Sequence, residues 1–225
     1  MFDGRWRSSF EQGLKPVGSN IRRAGITADH LTATGVILAG AASVAIATGA
    51  LRAGLLRLVL CALPDLLDGA VATASGTAGP RGAFFDSVSD RVTDSLLLGG
   101  IAWHLSTVSS GRIAVLPLAV LAASMLISYE RAKAESLGFD ARGGLMERAE
   151  RLIALGVALL FDSILIPVLW LMLVLTLITA VQRFARVWSQ ASVERPAPTS
   201  TRWRARRTSR PTERAWRRQA RTSRR

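Results

Sequence analysis

The chain contains a single cysteine, Cys61, among its 225 residues. One cysteine can build neither a disulfide framework nor a cysteine-based zinc site, so both are excluded. Cys61 lies in an apolar run, and we expect it to be a small buried residue. The first twenty residues lack the apolar stretch of a cleavable signal peptide, and we predict none there.

Apolar residues make up 49% of the chain and occur in blocks near the length of a membrane span. A helix needs about 20 residues to cross a bilayer. The blocks predict an all-α, polytopic membrane protein with six transmembrane helices. The predicted spans cover approximately residues 31–50, 53–72, 84–105, 112–131, 149–165 and 167–187. Only Asp162, Ser163 and Pro167 mark the boundary between the last two spans.

Positive charge is unevenly distributed along these spans. With the N-terminus in the cytoplasm, 26 of the 29 Lys and Arg residues fall on the cytoplasmic side. Arg52, Arg57 and Arg112 are the three on the opposite side. Because cytoplasmic loops carry an excess of Lys and Arg, we predict a multi-pass protein of the inner (plasma) membrane with both termini cytoplasmic.

The N-terminal segment has an amphipathic pattern. Phe2, Trp6, Phe10 and Leu14 recur at four-residue spacing, with charged residues elsewhere around the helix. This pattern predicts a helix over residues 1–20 that lies in the membrane interface. A soluble helix packing on the rest of the domain is the alternative.

The C-terminal segment is strongly basic. Residues 191–225 hold twelve of the 29 basic residues and much of the net charge of +13. We predict a disordered, Arg-rich cytoplasmic tail that follows a membrane domain over residues 21–190. Trp203 and Trp216 among the arginines favour adsorption to anionic lipid, and a solvated tail without a specific role is the alternative. No nucleic-acid partner is predicted, because nothing else in the chain supports one.

Four carboxylates stand in an otherwise apolar region. Asp65 and Asp68 are three residues apart, Asp86 and Asp90 are four apart, and each pair shares one helix face. The segment between the pairs, residues 73–81, contains two Gly and a Pro and predicts the turn of a helical hairpin. Four acids brought together would repel one another unless cations hold them.

Hard divalent cations such as Mg²⁺ take oxygen ligands, often together with substrate phosphates. Two such ions would bind a diphosphate and neutralise charge on a leaving phosphate. Asp90, the last of the four acids, is suited to accept a proton from an attacking hydroxyl. Solvated carboxylates that cap helix ends are the alternative.

These residues resemble the signature of the CDP-alcohol phosphotransferases, Asp-x2-Asp-Gly-x2-Ala-Arg-x8-Gly-x3-Asp-x3-Asp. The matching positions are Asp65, Asp68, Gly69, Ala72, Gly82, Asp86 and Asp90, with Thr73 in place of the Arg. The resemblance implies six transmembrane helices, a homodimer and two divalent ions, Mg²⁺ or alternatively Mn²⁺. It also implies the four aspartates as metal ligands, Asp90 as general base, a CDP-linked lipid as donor and CMP as by-product.

The same resemblance implies a binding site for the lipid donor. Its residues would be Ala28, Asp29, His30, Leu31, Gly69, Thr73 and Gly79. Gly69 would allow close approach of the cytidine, and His30 is expected to pack at an interface rather than to bind metal. Thr73 keeps a hydrogen-bond donor but lacks the charge and the bidentate fork of the family's Arg. Arg81, in the same turn, is the candidate to compensate.

Two patterns place cations at the cytoplasmic face near the aspartates: Ser-Tyr-x-basic-Ala-basic-Ala-Glu over residues 128–135 and Glu-Arg-x-Glu-Arg over residues 147–151. Over residues 20–190 the chain resembles the actinobacterial phosphatidylinositol-phosphate synthases, which transfer a phosphatidyl group from CDP-diacylglycerol to inositol 1-phosphate. The acceptor-binding residues implied are Ser128, Arg131, Lys133, Arg148, Arg151 and Arg183. Clustered cations suit a phosphorylated, hydroxyl-rich acceptor, and positive-inside charge alone is the alternative reason for them.

Other functions remain open at this point. An enzyme of the same family that uses glycerol 3-phosphate would not require Arg148, Arg151 and Arg183. A catalytically silent membrane binding protein has its only support in Thr73. A transporter would place acids near the bilayer midplane, whereas these acids fall at the cytoplasmic ends of the predicted helices.

Overall fold

The computed structural model describes residues 27–75, 79–109 and 112–192, and residues 65–75 by their backbone only. Within these ranges the chain is all-α, as predicted, and contains no strand. The helices are α1 Ala28–Ala47, α2 Leu51–Ser75, α3 Pro80–Val108, α4 Val115–Ser136, α5 Arg148–Leu160 and α6 Leu165–Ser192. A compact unit ends at Trp188, and Ser189–Arg225 is a separate unit. The predicted interfacial helix over residues 1–20, and the predicted tail beyond residue 192, lie outside the described residues.

Within the described residues, three segments are long and apolar enough to cross a membrane: α1, α4 and the stretch Asp162–Ser192, which includes α6. Large apolar side chains on these helices are exposed, among them Ile37 at 72% and Val181 at 69%. Water would disfavour so much exposed apolar surface, whereas lipid would cover it without cost. The chain is a membrane protein, and the full count of six crossings remains a prediction.

The break between α5 and α6 coincides with the predicted boundary between the last two spans. Helix α5 has only 13 residues, which corresponds to a length of about 20 Å. Phe161 leaves the helical conformation, and a short 3₁₀ helix, Asp162–Ile164, precedes α6. Pro167 lies in the first turn of α6, where its missing N–H has no intrahelical partner to lose.

Helix α1 packs against both α2 and α3 and so connects the two helices that carry the aspartates. At Gly100 on α3, an added Cβ would lie 2.7 Å from the Ser43 backbone oxygen on α1, so only glycine permits this approach. The Ser43 hydroxyl donates to the Leu96 carbonyl at 2.6 Å. Cys61 is buried, and its thiol donates to the Gly35 carbonyl at 3.1 Å. Small residues therefore bring the three helices close together.

Candidate active site

Asp90 lies on α3 at a junction of helices, and its side chain is 16% exposed. Arg148, the first residue of α5, places Nη1 2.9 Å from Asp90 Oδ1. Arg91 places Nη1 3.3 Å from the other carboxylate oxygen, Oδ2. Both oxygens of the predicted general base therefore contact guanidinium groups.

A narrow pocket, with room for about one water molecule, opens beside Asp90. Four helices contribute to its walls: α1, α2, α3 and α5. The lining residues are Thr32, Gly35, Val36, Cys61, Ser89, Asp90, Thr93 and Arg148. The junction combines a carboxylate, a guanidinium and three hydroxyl groups in otherwise apolar surroundings.

One turn further along α3, Asp94 forms a buried ion pair with α5. Arg151 Nη2 lies 2.7 Å from Asp94 Oδ2, and Arg148 Nε lies 4.0 Å from Asp94 Oδ1. Arg148 therefore stands between two carboxylates on consecutive turns. Asp94 is not among the predicted site residues, although it continues the four-residue spacing of Asp86 and Asp90. That spacing was the signal for its place in the site.

The predicted metal ligands are described in part. Asp86 and Asp90 lie one turn apart on α3, whereas the side chains of Asp65 and Asp68 on α2 are outside the described set. Among the described side chains alone, no group of three or more His, Cys, Asp or Glu residues converges. Carboxylates suit Mg²⁺ or Mn²⁺, so the residues present fit a hard divalent cation. The complete set of four ligands stays a prediction.

Five of the seven predicted donor residues lie at the start of α1 or directly before α3. Thr27 and His30 form a capping box: Thr27 Oγ1 accepts from the His30 N–H at 3.3 Å, and His30 Nδ1 accepts from the Thr27 N–H at 3.5 Å. His30 thus stabilises the helix start, beside Ala28 and Leu31 of the first turn. Asp29 Oδ2 lies 3.5 Å from Nη2 of the exposed Arg81.

Gly79 is the N-cap of α3, directly before Pro80. Gly69 and Thr73 lie on α2 without described side chains. The predicted turn over residues 73–81 is shorter in the structure, because α2 continues to Ser75 and α3 begins at Pro80. The Asp29–Arg81 contact therefore connects the predicted donor residues of α1 with the first turn of α3, which holds the candidate to replace the missing Arg.

Arg183 on α6 is buried and forms hydrogen bonds to the segment between α4 and α5. Its Nε donates to the Gly143 carbonyl at 3.1 Å, and Nη1 donates to the Ile127 carbonyl at 2.8 Å. Its Nη2 donates to Glu147 Oε1 at 3.0 Å. These bonds use three of the five N–H groups of a guanidinium, which leaves two for a ligand.

The other predicted acceptor residues lie at the end of α4. The Ser128 hydroxyl donates to the Ser124 carbonyl at 2.9 Å, and Arg131 Nε lies 3.1 Å from Glu135 Oε1. Arg131 and Lys133 are exposed. The structure thus places Arg148 against Asp90 and pairs Arg151 with Asp94. It joins Arg183 to Glu147, the residue that precedes α5.

Comparison with known proteins extends these observations. A sequence model of the family described as CDP-alcohol phosphatidyltransferase matches residues 25–182. The phosphatidylinositol phosphate synthase of Mycobacteroides abscessus is 34% identical over 189 residues, which cover 80% of this chain and 86% of that protein. The archaetidylinositol phosphate synthase of Methanothermobacter thermautotrophicus is 34% identical over 194 residues, covering 83% of this chain and 94% of that protein.

Solved structures show the same likeness. The phosphatidylinositol phosphate synthase of Mycobacterium tuberculosis with CDP-DAG bound superposes with a TM-score of 0.74 at 32% identity. The match covers 82% of this chain and 98% of that one. The same enzyme in complex with manganese and citrate also has a TM-score of 0.74, at 32% identity, and covers 82% of this chain and 93% of that one.

Proposed function

The chain belongs to the CDP-alcohol phosphatidyltransferase family, and from this membership we propose that it is a phospholipid-synthesising transferase of the membrane. It transfers the phosphatidyl group of CDP-diacylglycerol to inositol 1-phosphate. The products are phosphatidylinositol phosphate and CMP. The reaction joins a lipid donor to a water-soluble acceptor, so it requires a site at a membrane surface.

The observation that carries this proposal is the contact between Asp90 and Arg148. A carboxylate suited to remove a proton lies 2.9 Å from a guanidinium suited to bind a phosphate. An acceptor that carries both a hydroxyl and a phosphate can engage the two groups together. Arg151 and Arg183 add two further cations to the same region.

The relatives support the choice of acceptor. The bacterial and archaeal enzymes have names that differ in the lipid part and share inositol phosphate. This chain resembles both sets at 34% identity. The inositol phosphate acceptor is therefore the feature common to the relatives, and CDP-DAG is the donor seen bound in one of them.

The reaction follows from the proposed residue roles. Asp90 removes the proton of the acceptor hydroxyl, and the resulting oxygen attacks the phosphorus next to the diacylglycerol. The bond from that phosphorus to the oxygen of CMP breaks, and CMP leaves with the electron pair. Arg148, Arg151 and Arg183 hold the acceptor phosphate so that the hydroxyl faces the donor.

Asp65, Asp68, Asp86 and Asp90 would hold two Mg²⁺ ions, with Mn²⁺ as the alternative. When bound, these ions supply positive charge that neutralises the donor diphosphate and the departing CMP. A relative was crystallised with manganese, which supports a divalent metal in this family. The donor itself is held by Gly69, Thr73, Gly79 and the first turn of α1.

The protein is proposed to cross the plasma membrane six times as a homodimer, with both termini in the cytoplasm. The distribution of Lys and Arg supports this orientation. It places Asp90 and the acceptor cations at the cytoplasmic surface, where inositol 1-phosphate is soluble. The Arg-rich tail is proposed to adsorb to anionic lipid.

An acceptor assay tests the function. The purified full chain, in detergent with Mg²⁺, is given CDP-diacylglycerol and either inositol 1-phosphate or glycerol 3-phosphate, and CMP release is measured. We expect release with inositol 1-phosphate and its loss after chelation. Consumption of glycerol 3-phosphate alone would overturn the acceptor, and no CMP release with either acceptor would overturn the transferase function.

A further inference from the structure

The hydroxyl of Thr179 has all of its hydrogen-bonding capacity occupied. This fully buried residue of α6 donates from Oγ1 to the Leu175 carbonyl at 2.8 Å. The same oxygen accepts from the backbone N–H groups of Leu145 and Met146, each at 3.1 Å. A hydroxyl has one donor and two acceptor positions, so this one uses all three. Both amides belong to the segment that leads into α5.

Close packing between Gly144 and Thr179 also holds this segment in place. At Gly144, an added Cβ would lie 2.3 Å from Thr179 Cγ2, well inside van der Waals contact. Glycine is therefore required here unless the segment or the helix moves. The Thr179 hydroxyl binds the segment, and the Thr179 methyl group packs against the Gly144 backbone.

Residues 143–147 form the segment that precedes α5, called here the α5 lead. The position of this segment determines where α5 begins. Arg183, one turn after Thr179 on α6, binds the Gly143 carbonyl and the Glu147 carboxylate. The buried Met146 also receives Arg151 Nη1 on its carbonyl at 3.5 Å. Arg148 follows the α5 lead directly and reaches Asp90. A shift of the lead would therefore move both arginines of α5.

We propose that Thr179 is a positioning residue for the acceptor site. Its hydroxyl holds the α5 lead so that Arg148 and Arg151 face the acceptor phosphate, and it does not itself touch a substrate. This inference rests on the proposed transfer to inositol 1-phosphate. Misplacement of a binding group by about 1 Å can lower a reaction rate by about a hundredfold, so the effect should be measurable.

The test compares Thr179→Val with Thr176→Val. Thr176 lies one turn earlier on the same helix and is equally buried, and within the described part of the chain its hydroxyl oxygen has no hydrogen-bond partner. We expect Thr179→Val to raise the KM for inositol 1-phosphate at least about fivefold, with the KM for CDP-diacylglycerol changed by less than about twofold. Thr176→Val should leave both KM values unchanged. Thr179→Ser, which keeps the hydroxyl, should retain the native KM for inositol 1-phosphate.

Hydrogen–deuterium exchange gives a readout that does not depend on activity. The Leu145 and Met146 amides should exchange faster in Thr179→Val than in Thr176→Val. If Thr179→Val does not fold, Gly144→Ala takes its place, since it displaces the lead while keeping the hydroxyl.

The outcomes separate this inference from the proposed function. Equal effects on both KM values, or unchanged exchange of the two amides, would overturn the positioning role while the native chain still uses inositol 1-phosphate. A native chain that ignores inositol 1-phosphate would overturn the function, and the exchange result would then decide only whether Thr179 holds the lead.

Discussion

Arg151 Nη2 lies 2.7 Å from Asp94 Oδ2, and the two side chains are only 6% and 8% exposed. The pair joins α3, which carries the predicted base, to α5, which carries two predicted acceptor cations. A buried charge without its partner is costly, so each member requires the other. This buried ion pair therefore links the two helices that carry the predicted site.

Breaking this pair should destabilise the protein. We expect Asp94→Ala to lower the free energy of unfolding by about 3–5 kcal/mol, because it leaves the Arg151 charge buried and unpaired. Asp94→Ala combined with Arg151→Ala should cost less than Asp94→Ala alone. Glu135→Ala, which breaks the exposed pair with Arg131, is the matched control and should cost about 0–1 kcal/mol. Unfolding in detergent checks all three, and equal effects of Asp94→Ala and Glu135→Ala would contradict the assignment.

Asp90→Asn should abolish catalysis without unfolding the chain. The amide keeps the shape of the carboxylate but cannot accept the proton, so CMP release should fall by about 10²–10⁴-fold. Asp162→Asn, at an exposed residue outside the predicted site, is the control and should retain native activity. Native rates in Asp90→Asn would exclude Asp90 as the general base.

Arg148→Ala should act mainly on the acceptor. Loss of the guanidinium removes a phosphate contact, so the KM for inositol 1-phosphate should rise about tenfold or more. Arg148→Lys should reverse only part of this rise in KM. An ammonium keeps the positive charge but cannot form the two parallel hydrogen bonds of a guanidinium. The exposed Arg112 gives the control variant, Arg112→Ala, which should not change either KM. A larger change in the KM for CDP-diacylglycerol would place Arg148 in the donor site instead.

Thr73→Arg should improve donor binding. The family signature has Arg at this position, and a guanidinium would add a charged, bidentate contact near the donor phosphates. We expect the KM for CDP-diacylglycerol to fall severalfold, and Thr73→Val, which removes the hydroxyl, to raise it. Steady-state kinetics at saturating inositol 1-phosphate measure both variants. An unchanged KM in Thr73→Arg would indicate that Arg81 or another residue already supplies the contact.

Much of the helical architecture could be predicted because hydropathy acts over long segments. Each predicted span overlaps a helix, although the fifth helix ends at Leu160, before the predicted end at residue 165. The break before Pro167 was marked by Asp162 and Ser163. The helix ends were harder to predict from the sequence, since capping depends on local backbone geometry. His30 was predicted to pack at an interface, and its capping bond to Thr27 appears only once the backbone is known.

The site residues could be predicted where residues of one chemical type recur at a regular spacing in the sequence. The spacing of Asp86 and Asp90 indicated a shared helix face, and extending it by one turn leads to Asp94. Its partner Arg151 is 57 residues away, so the pairing depends on where the fold places α3 and α5. Thr179 and Arg183 bind mainly backbone groups, which leave no signature in residue type.

The short α5 has a consequence for the surrounding lipid. Its 13 residues extend about 20 Å, while the hydrocarbon layer of a bilayer is about 30 Å thick. In the proposed six-span topology the crossing by α5 is shorter than the bilayer, and we expect local thinning of the membrane beside Asp162, whose charge draws headgroups and water inward. We therefore expect this corner of the protein to compress its annular lipids and to favour bilayers with shorter acyl chains.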